Sequence, residues 1–160
     1  WMNGVETSTY DEEKLADMRL AELGFVFQFH FLLPEFTVLE NVLIPMRRLG
    51  KLSPAQMTKR ATELLENLGL QTQLHKLPKQ LSGGQSQRVA IARCLANDPS
   101  LVLADEPTGN LDTVSSSNVQ QILKDLARNQ GKTVLVVTHD AAFAQTADRI
   151  IRIVDGKIAA

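Results

Sequence analysis

Apolar residues follow two spacings along this chain, and the alternation between them outlines its elements. Leu23-Gly24-Phe25-Val26-Phe27 is a compact apolar run closed by polar Gln28, the pattern of a buried strand. Leu101 to Ala104 and Thr133 to Val137 are unbroken apolar runs with β-branched content, which predicts two interior parallel strands. Elsewhere the period is helical. Asp11 to Ala21 carries Leu15, Met18 and Leu20 among acids, a short surface helix for which Thr9 and Glu12 fit a capping box. Thr37 to Arg48 reads helical, with Pro45 expected to kink or end it. Ser53-Pro54-Ala55-Gln56 is a helix start; Met57, Ala61, Leu64, Leu65 and Leu68 keep its period and Gly69 stops it. A helix from Gly83 to Asn97 is closed off by Pro99, and Val119, Ile122, Leu123 and Leu126 mark another, ended by Gly131. Arg149 to Val154 predicts a last strand that turns at Asp155-Gly156 into a hairpin with Lys157-Ile158.

The order is strand, helical block, strand, helix, strand, helix, strand. This is an α/β core interrupted by a helical insertion, with 1–36 and 98–160 assigned to the core and 37–97 to the insertion. A length of 160 residues suits one domain. The formal net charge of −1 and 5% aromatic content argue against a nucleic-acid-binding stripe, so no nucleic-acid partner is expected. One cysteine, Cys94, excludes an internal disulfide and a multi-cysteine zinc site; its apolar neighbours make it core filler. No apolar run reaches the roughly 18–20 residues of a membrane span, so a cytosolic, soluble chain without membrane insertion of its own is expected.

The chemistry concentrates in two places. Leu81-Ser82-Gly83-Gly84-Gln85 opens a helix with two glycines, exposing backbone N–H groups at its positive end, where an anion can sit. Leu101-Val102-Leu103-Ala104-Asp105-Glu106 ends an apolar strand in two carboxylates, at the sheet edge where open α/β sheets bind ligands. Adjacent strand residues point to opposite sides, so Asp105 and Glu106 can divide two tasks, holding a metal and orienting a water. His139 ends the next apolar strand and Gln28 the first. Taken alone, either would be an ordinary hydrogen-bonded structural residue, and His30 and His75 are read as structural or exposed.

Together these motifs, with Pro107-Thr108-Gly109-Asn110-Leu111-Asp112 after them, resemble the signature loop, Walker B strand and D-loop of ABC-type ATPases. The resemblance covers essentially the whole chain. It implies a partial RecA-like P-loop NTPase core, a parallel sheet flanked by helices, with the family's inserted helical subdomain. It also implies ATP as substrate, Mg²⁺ held by Asp105 through water, Glu106 as the catalytic base and His139 on the γ-phosphate. Gln28 would touch Mg²⁺ and the lytic water. Ser82, Gly83, Gly84 and Gln85 would bind the γ-phosphate of a nucleotide held mainly by a second ATPase subunit, with Asp112 reaching across that interface. Gln28-Phe29-His30-Phe31-Leu32-Leu33-Pro34-Glu35-Phe36-Thr37 looks like the lipoprotein-releasing branch, with macrolide-export and cell-division ATPases as neighbours. That implies membrane-subunit partners and a place on the cytoplasmic face of the bacterial inner membrane.

The phosphate loop G-x-x-x-x-G-K-[ST] is not among the 160 residues. Gly50-Lys51, Gly131-Lys132 and Gly156-Lys157 have Pro45, Leu126 and Ile151 where its first glycine belongs. With the chain starting at Trp1, N-terminal truncation is the simplest expectation, Trp1 to Gly4 resembling the strand and turn that follow the loop's helix. Alone, such a chain is expected to be poorly stable and to bind ATP weakly or not at all. Two other readings stand beside the transporter ATPase. A chromosome-maintenance or DNA-repair ATPase also has a Leu-Ser-Gly-Gly loop, but carries a long coiled coil where 28 to 82 leaves room only for a small helical unit. A non-catalytic fragment or degenerate subunit would have no turnover.

Overall fold

The structure is a computed structural model and describes residues 1–2 and 4–159. Helix α1 (Glu12–Glu22) runs straight into strand β1 (Leu23–Phe27). Asp11, not Thr9, caps α1, accepting from the Lys14 amide at 2.8 Å; it stands next to the first helical residue, within reach of the third amide. Then come α2 (Val38–Leu49), α3 (Pro54–Asn67), a 3₁₀ turn at Pro78–Gln80 and α4 (Gly83–Cys94). The remaining elements are β2 (Leu101–Asp105), α5 (Thr113–Asn129), β3 (Thr133–Val137), the one-turn α6 (Ala141–Ala144), β4 (Ile153–Val154) and β5 (Lys157–Ile158).

Capping boxes start α2 (Thr37 with Glu40), α3 (Ser53 with Gln56) and α4 (Ser82 with Gln85). The Thr37 amide holds the Glu40 carboxyl below the usual carboxylate range. Helix α2 does not end at Pro45. Its proline forfeits one backbone bond, which the burial of Val38, Val42 and Met46 outweighs. Only Ile153–Val154 of the expected strand from Arg149 is paired. It forms a separate antiparallel hairpin with Lys157–Ile158, and both turn residues have positive φ, Asp155 +49° and Gly156 +74°. At the start of the chain Met2 bridges Val5, while Asn3 lies outside the described residues.

Strands β1, β2 and β3 form one parallel sheet in that order, in register along Leu23–Leu101–Thr133 through Phe27–Asp105–Val137. So β2 is central, whereas β3, expected inside, is an edge strand among the described residues. Burial is one-sided too. Val26, Val102 and Ala104 pack under helices, but Phe25, Phe27, Leu135 and Val137 on the other face are 41%, 38%, 54% and 60% exposed. These strands read as fully buried because nearly every position is apolar, and apolarity does not say how many faces are covered.

Two apolar clusters hold the molecule. One joins Val26, Val102 and Ala104 of the sheet to Val119, Leu123 and Leu126 of α5 and to Ile91, Cys94 and Leu95. The other is helical, with Val38, Val42, Leu65, Leu70, Val89 and Ala92. Helix α4 feeds both, so it is the spine between them. Cys94 packs as the sequence suggests, and burial pushes its thiol up to about 12.

Candidate functional site

The sheet's last register row is Phe27–Asp105–Val137, so the next residues, Gln28, Glu106 and Thr138, gather at its carboxyl edge. Glu106 still pairs its amide with the Val137 carbonyl at 2.9 Å, then turns the chain at φ +43°. A non-glycine residue held there costs about 1–3 kcal/mol and persists only where its surroundings fix it.

Here they do. The Thr138 hydroxyl donates to Glu106 Oε2 at 3.2 Å, and the His139 amide donates to Oε1 at 2.8 Å. His139 Nδ1 lies 2.7 Å from the same Oε1. An ionised carboxylate only accepts, so Nδ1 carries the proton of this contact and leaves Nε2 outward on a ring that is 83% exposed. These bonds occupy three of the four lone-pair directions of the carboxylate, and the remaining one is on Oε2. Glu106 and His139 line an open cleft of about 360 Å³ with Thr108, Gly109, Ser116 and Asp140. Asp140 caps α6, and its amide donates to Thr138 Oγ1 at 3.1 Å, fixing the hydroxyl for Glu106.

Gln28 lies across the 107–112 loop. Its Nε2 donates to Asn110 Oδ1 at 3.3 Å, and a Cβ at Gly109 would stand 2.8 Å from that nitrogen, so a larger residue there would push the Gln28 amide aside. Asp105 ends its strand exposed. Among the described residues no group of three or more His, Cys, Asp or Glu could cage a metal ion. The oxygen donors of Asp105 and Gln28 do fit Mg²⁺, which binds through one or two carboxylates and keeps water and phosphate oxygens for the rest.

Ser82 and Gln85 are engaged with each other. The Ser82 amide donates to Gln85 Oε1 at 3.0 Å, and the Gln85 amide to Ser82 Oγ at 3.3 Å. The two glycines differ: Gly83 is exposed, whereas Gly84 is buried where a Cβ would collide with the side chain of Ser115 on α5. Asp112 caps α5 through the Ser115 amide at 3.0 Å, and the bonds to Ser115 hold its carboxyl below the usual range.

Sequence reasoning missed two residues here. Thr138 has no signal beyond its place before a strand-end histidine. Asn41, fully buried in α2, accepts from the Leu33 amide and donates to the Leu33, Phe36 and Thr37 carbonyls, binding the segment after Gln28 to the helical block. A polar residue on an apolar helix face was its only mark. His30, read as structural or exposed, is half-buried, as the structural reading has it; burial lowers its pKa, against a hydrogen bond to the Gly83 backbone.

Comparison with known proteins identifies the family. A family profile described as ABC transporter matches residues 2–109. The chain is 49% identical over 159 residues to "Lipoprotein-releasing system ATP-binding protein LolD 1" of Chlorobium chlorochromatii, covering 99% of this chain and 65% of the relative. It is 50% identical over 157 residues to the LolD protein of Anaeromyxobacter dehalogenans, covering 98% of this chain and 66% of that one. The chain thus spans just under two thirds of these relatives' length. A solved dimeric structure of the ATP-binding cassette MJ0796 with ADP and Pi superimposes with a TM-score of 0.87 at 43% identity, covering 99% of this chain and 69% of that one. With a parallel α/β sheet, a helical insertion and a family match over most of its length, the chain belongs to the ABC transporter ATP-binding family.

Proposed function

We propose that this chain is part of an ATP-hydrolysing subunit that drives lipoprotein release from a bacterial inner membrane. The observation that carries the chemical half is the Glu106 carboxylate, held by Thr138 and His139 at the carboxyl edge of the sheet with one acceptor direction left on Oε2. A carboxylate fixed in this way can take the proton of a water as that water's oxygen attacks the γ-phosphorus and the bond to the ADP oxygen breaks. Mg²⁺, when bound, supplies neutralisation of phosphate charge, and Asp105 and Gln28 are the residues that would hold it. His139, with Nδ1 committed to Glu106, turns Nε2 outward, where it would donate to a phosphate oxygen only as a ring protonated at both nitrogens, because Nε2 of the Nδ1–H tautomer is an acceptor.

The exposed start of α4 offers its first-turn N–H groups to phosphate charge. The amides of Ser82 and Gln85 are taken up by their reciprocal cap, which leaves those of Gly83 and Gly84 for the charge, and the dimeric state of the solved relative supports their use toward a nucleotide on a second copy of the subunit. The relatives' printed names carry the lipoprotein cargo. Among the described residues no helix is long and apolar enough to cross a membrane. The relatives' names, ATP-binding proteins of a lipoprotein-releasing system, support a subunit that acts with membrane partners at the cytoplasmic face.

The test is turnover by the full-length protein as its gene encodes it, wild type against Glu106→Gln. Loss of a general base predicts a fall in kcat of about 10²–10⁴-fold with ATP still bound. Unchanged turnover would remove Glu106 from the base role. ATP-dependent lipoprotein release from proteoliposomes containing the membrane partners checks the cargo, and ATP hydrolysis without any such release would contradict it.

A further inference from the structure

Gln87 is the largest buried polar side chain among the described residues, fully buried on α4 two residues after the signature loop. Its Nε2 donates twice, to the Phe27 carbonyl at 3.1 Å and to the Pro107 carbonyl at 2.7 Å. Those carbonyls belong to the residue before Gln28 and the residue after Glu106. One amide group therefore ties the signature helix to both loops of the candidate site.

The same amide has an oxygen, Oε1, that is buried without a hydrogen-bond partner among the described residues. An unpaired buried acceptor is costly. The orientation is nevertheless forced, because only the NH₂ end can serve two carbonyls. Nothing else in α4 duplicates this bridge: Arg93 holds the His30 and Phe31 carbonyls farther along the glutamine loop and touches neither carboxylate loop. Helix α4 also contributes apolar residues to both cores, so any shift of its first turns reaches both carbonyls through one rigid side chain.

We propose that Gln87 is a positioning residue that couples the signature helix to the placement of Gln28 and Glu106. This rests on the hydrolytic reading above. Gln87 touches no reacting atom; it sets where the water-orienting and proton-accepting groups stand when phosphate charge meets the start of α4.

Gln87→Met preserves volume and removes both donors. In the full-length protein it should lower kcat about tenfold to a hundredfold, the scale of a small misplacement of catalytic groups, with KM for ATP within about twofold. A structural defect would instead move KM, kcat and the unfolding midpoint together, and that result overturns the proposal, as does an unchanged kcat. Gln87→His places one N–H where the amide nitrogen lies and should fall between wild type and Gln87→Met. If Gln87→Met does not fold, Gln87→His decides alone: reduced kcat at unchanged KM supports the coupling, and wild-type kcat overturns it. Glu106→Gln run in parallel separates the two ideas. Turnover surviving Glu106→Gln defeats the hydrolytic reading, whereas turnover lost there but intact in Gln87→Met defeats only the coupling.

Discussion

The helical cluster and the three-stranded sheet are built from equally apolar residues, yet they are finished to different degrees. In the cluster Val38, Val42, Ala61, Leu65, Leu70, Val89 and Ala92 are all at 0% exposure. In the sheet one face is sealed and the other leaves Leu135 and Val137 more than half exposed. Every proposed catalytic group belongs to the half-covered element, at its carboxyl edge. On the proposed function, stability and chemistry are therefore separated in this chain: the cluster holds α4 in place, and the sheet's rim presents the side chains proposed to act.

The largest expected effect breaks the cluster. Leu65→Ala should cost about 2–5 kcal/mol in a denaturant titration, because a fully buried leucine leaves a cavity. The same truncation on the open face, Leu135→Ala, should change stability by about 0.5 kcal/mol or less. Equal costs at the two sites would erase the contrast.

Gly84→Ala attacks the junction of the two regions. Its methyl group would collide with Ser115, where α4 crosses the start of α5, and overpacking of this kind costs about 1–3 kcal/mol. Gly83→Ala makes only an ordinary contact with Leu111 and should stabilise the chain, by at most about the 0.5–1 kcal/mol by which alanine is favoured over glycine in a helix. Thermal unfolding of both variants distinguishes the packing glycine from the exposed one.

The smallest effect tests a charged tie between the regions. Asp98, at φ +58°, accepts from Lys132 Nζ at 2.8 Å and lies 3.6 Å from Arg60 on α3. The Lys132 hydrogen bond, with its charge and that of Arg60, holds the carboxyl below its ordinary value of 3.8. A lowered folded pKa means that the contribution is present above that ordinary value and is lost as pH falls through the lower folded one. Asp98→Asn, which tolerates the same backbone, should thus cost about 1 kcal/mol or less at neutral pH, since the Asp98 side chain is 70% exposed even though Lys132 is largely buried. Under acid, wild type and variant should converge; a difference that persists at pH 2 would assign the effect to geometry.

Much of this was legible in the sequence because several signals agreed locally. Ser53-Pro54 with Gln56 marked one helix start and the adjacent Gly83-Gly84 another, and the apolar runs ending in Gln28, Asp105 and His139 placed three chemical residues on one sheet edge. What escaped was set by three-dimensional neighbours. Thr138 matters through a bond to Glu106, 32 residues away, and Gln87 through carbonyls 60 and 20 residues away. Neither side chain has a periodic or compositional mark. The exposure of Phe25 and Val137 was hidden for the converse reason: a run that is apolar at every position carries no record of which face is covered.

The central claim is that Glu106 removes the proton from the attacking water. Full-length Glu106→Gln, incubated with ATP and Mg²⁺ and passed through size exclusion, gives the most direct test through chemical analysis of the nucleotide retained. The account predicts a dimer holding uncleaved ATP, because binding groups remain while the proton acceptor is gone. Recovery of ADP at the wild-type rate would contradict it.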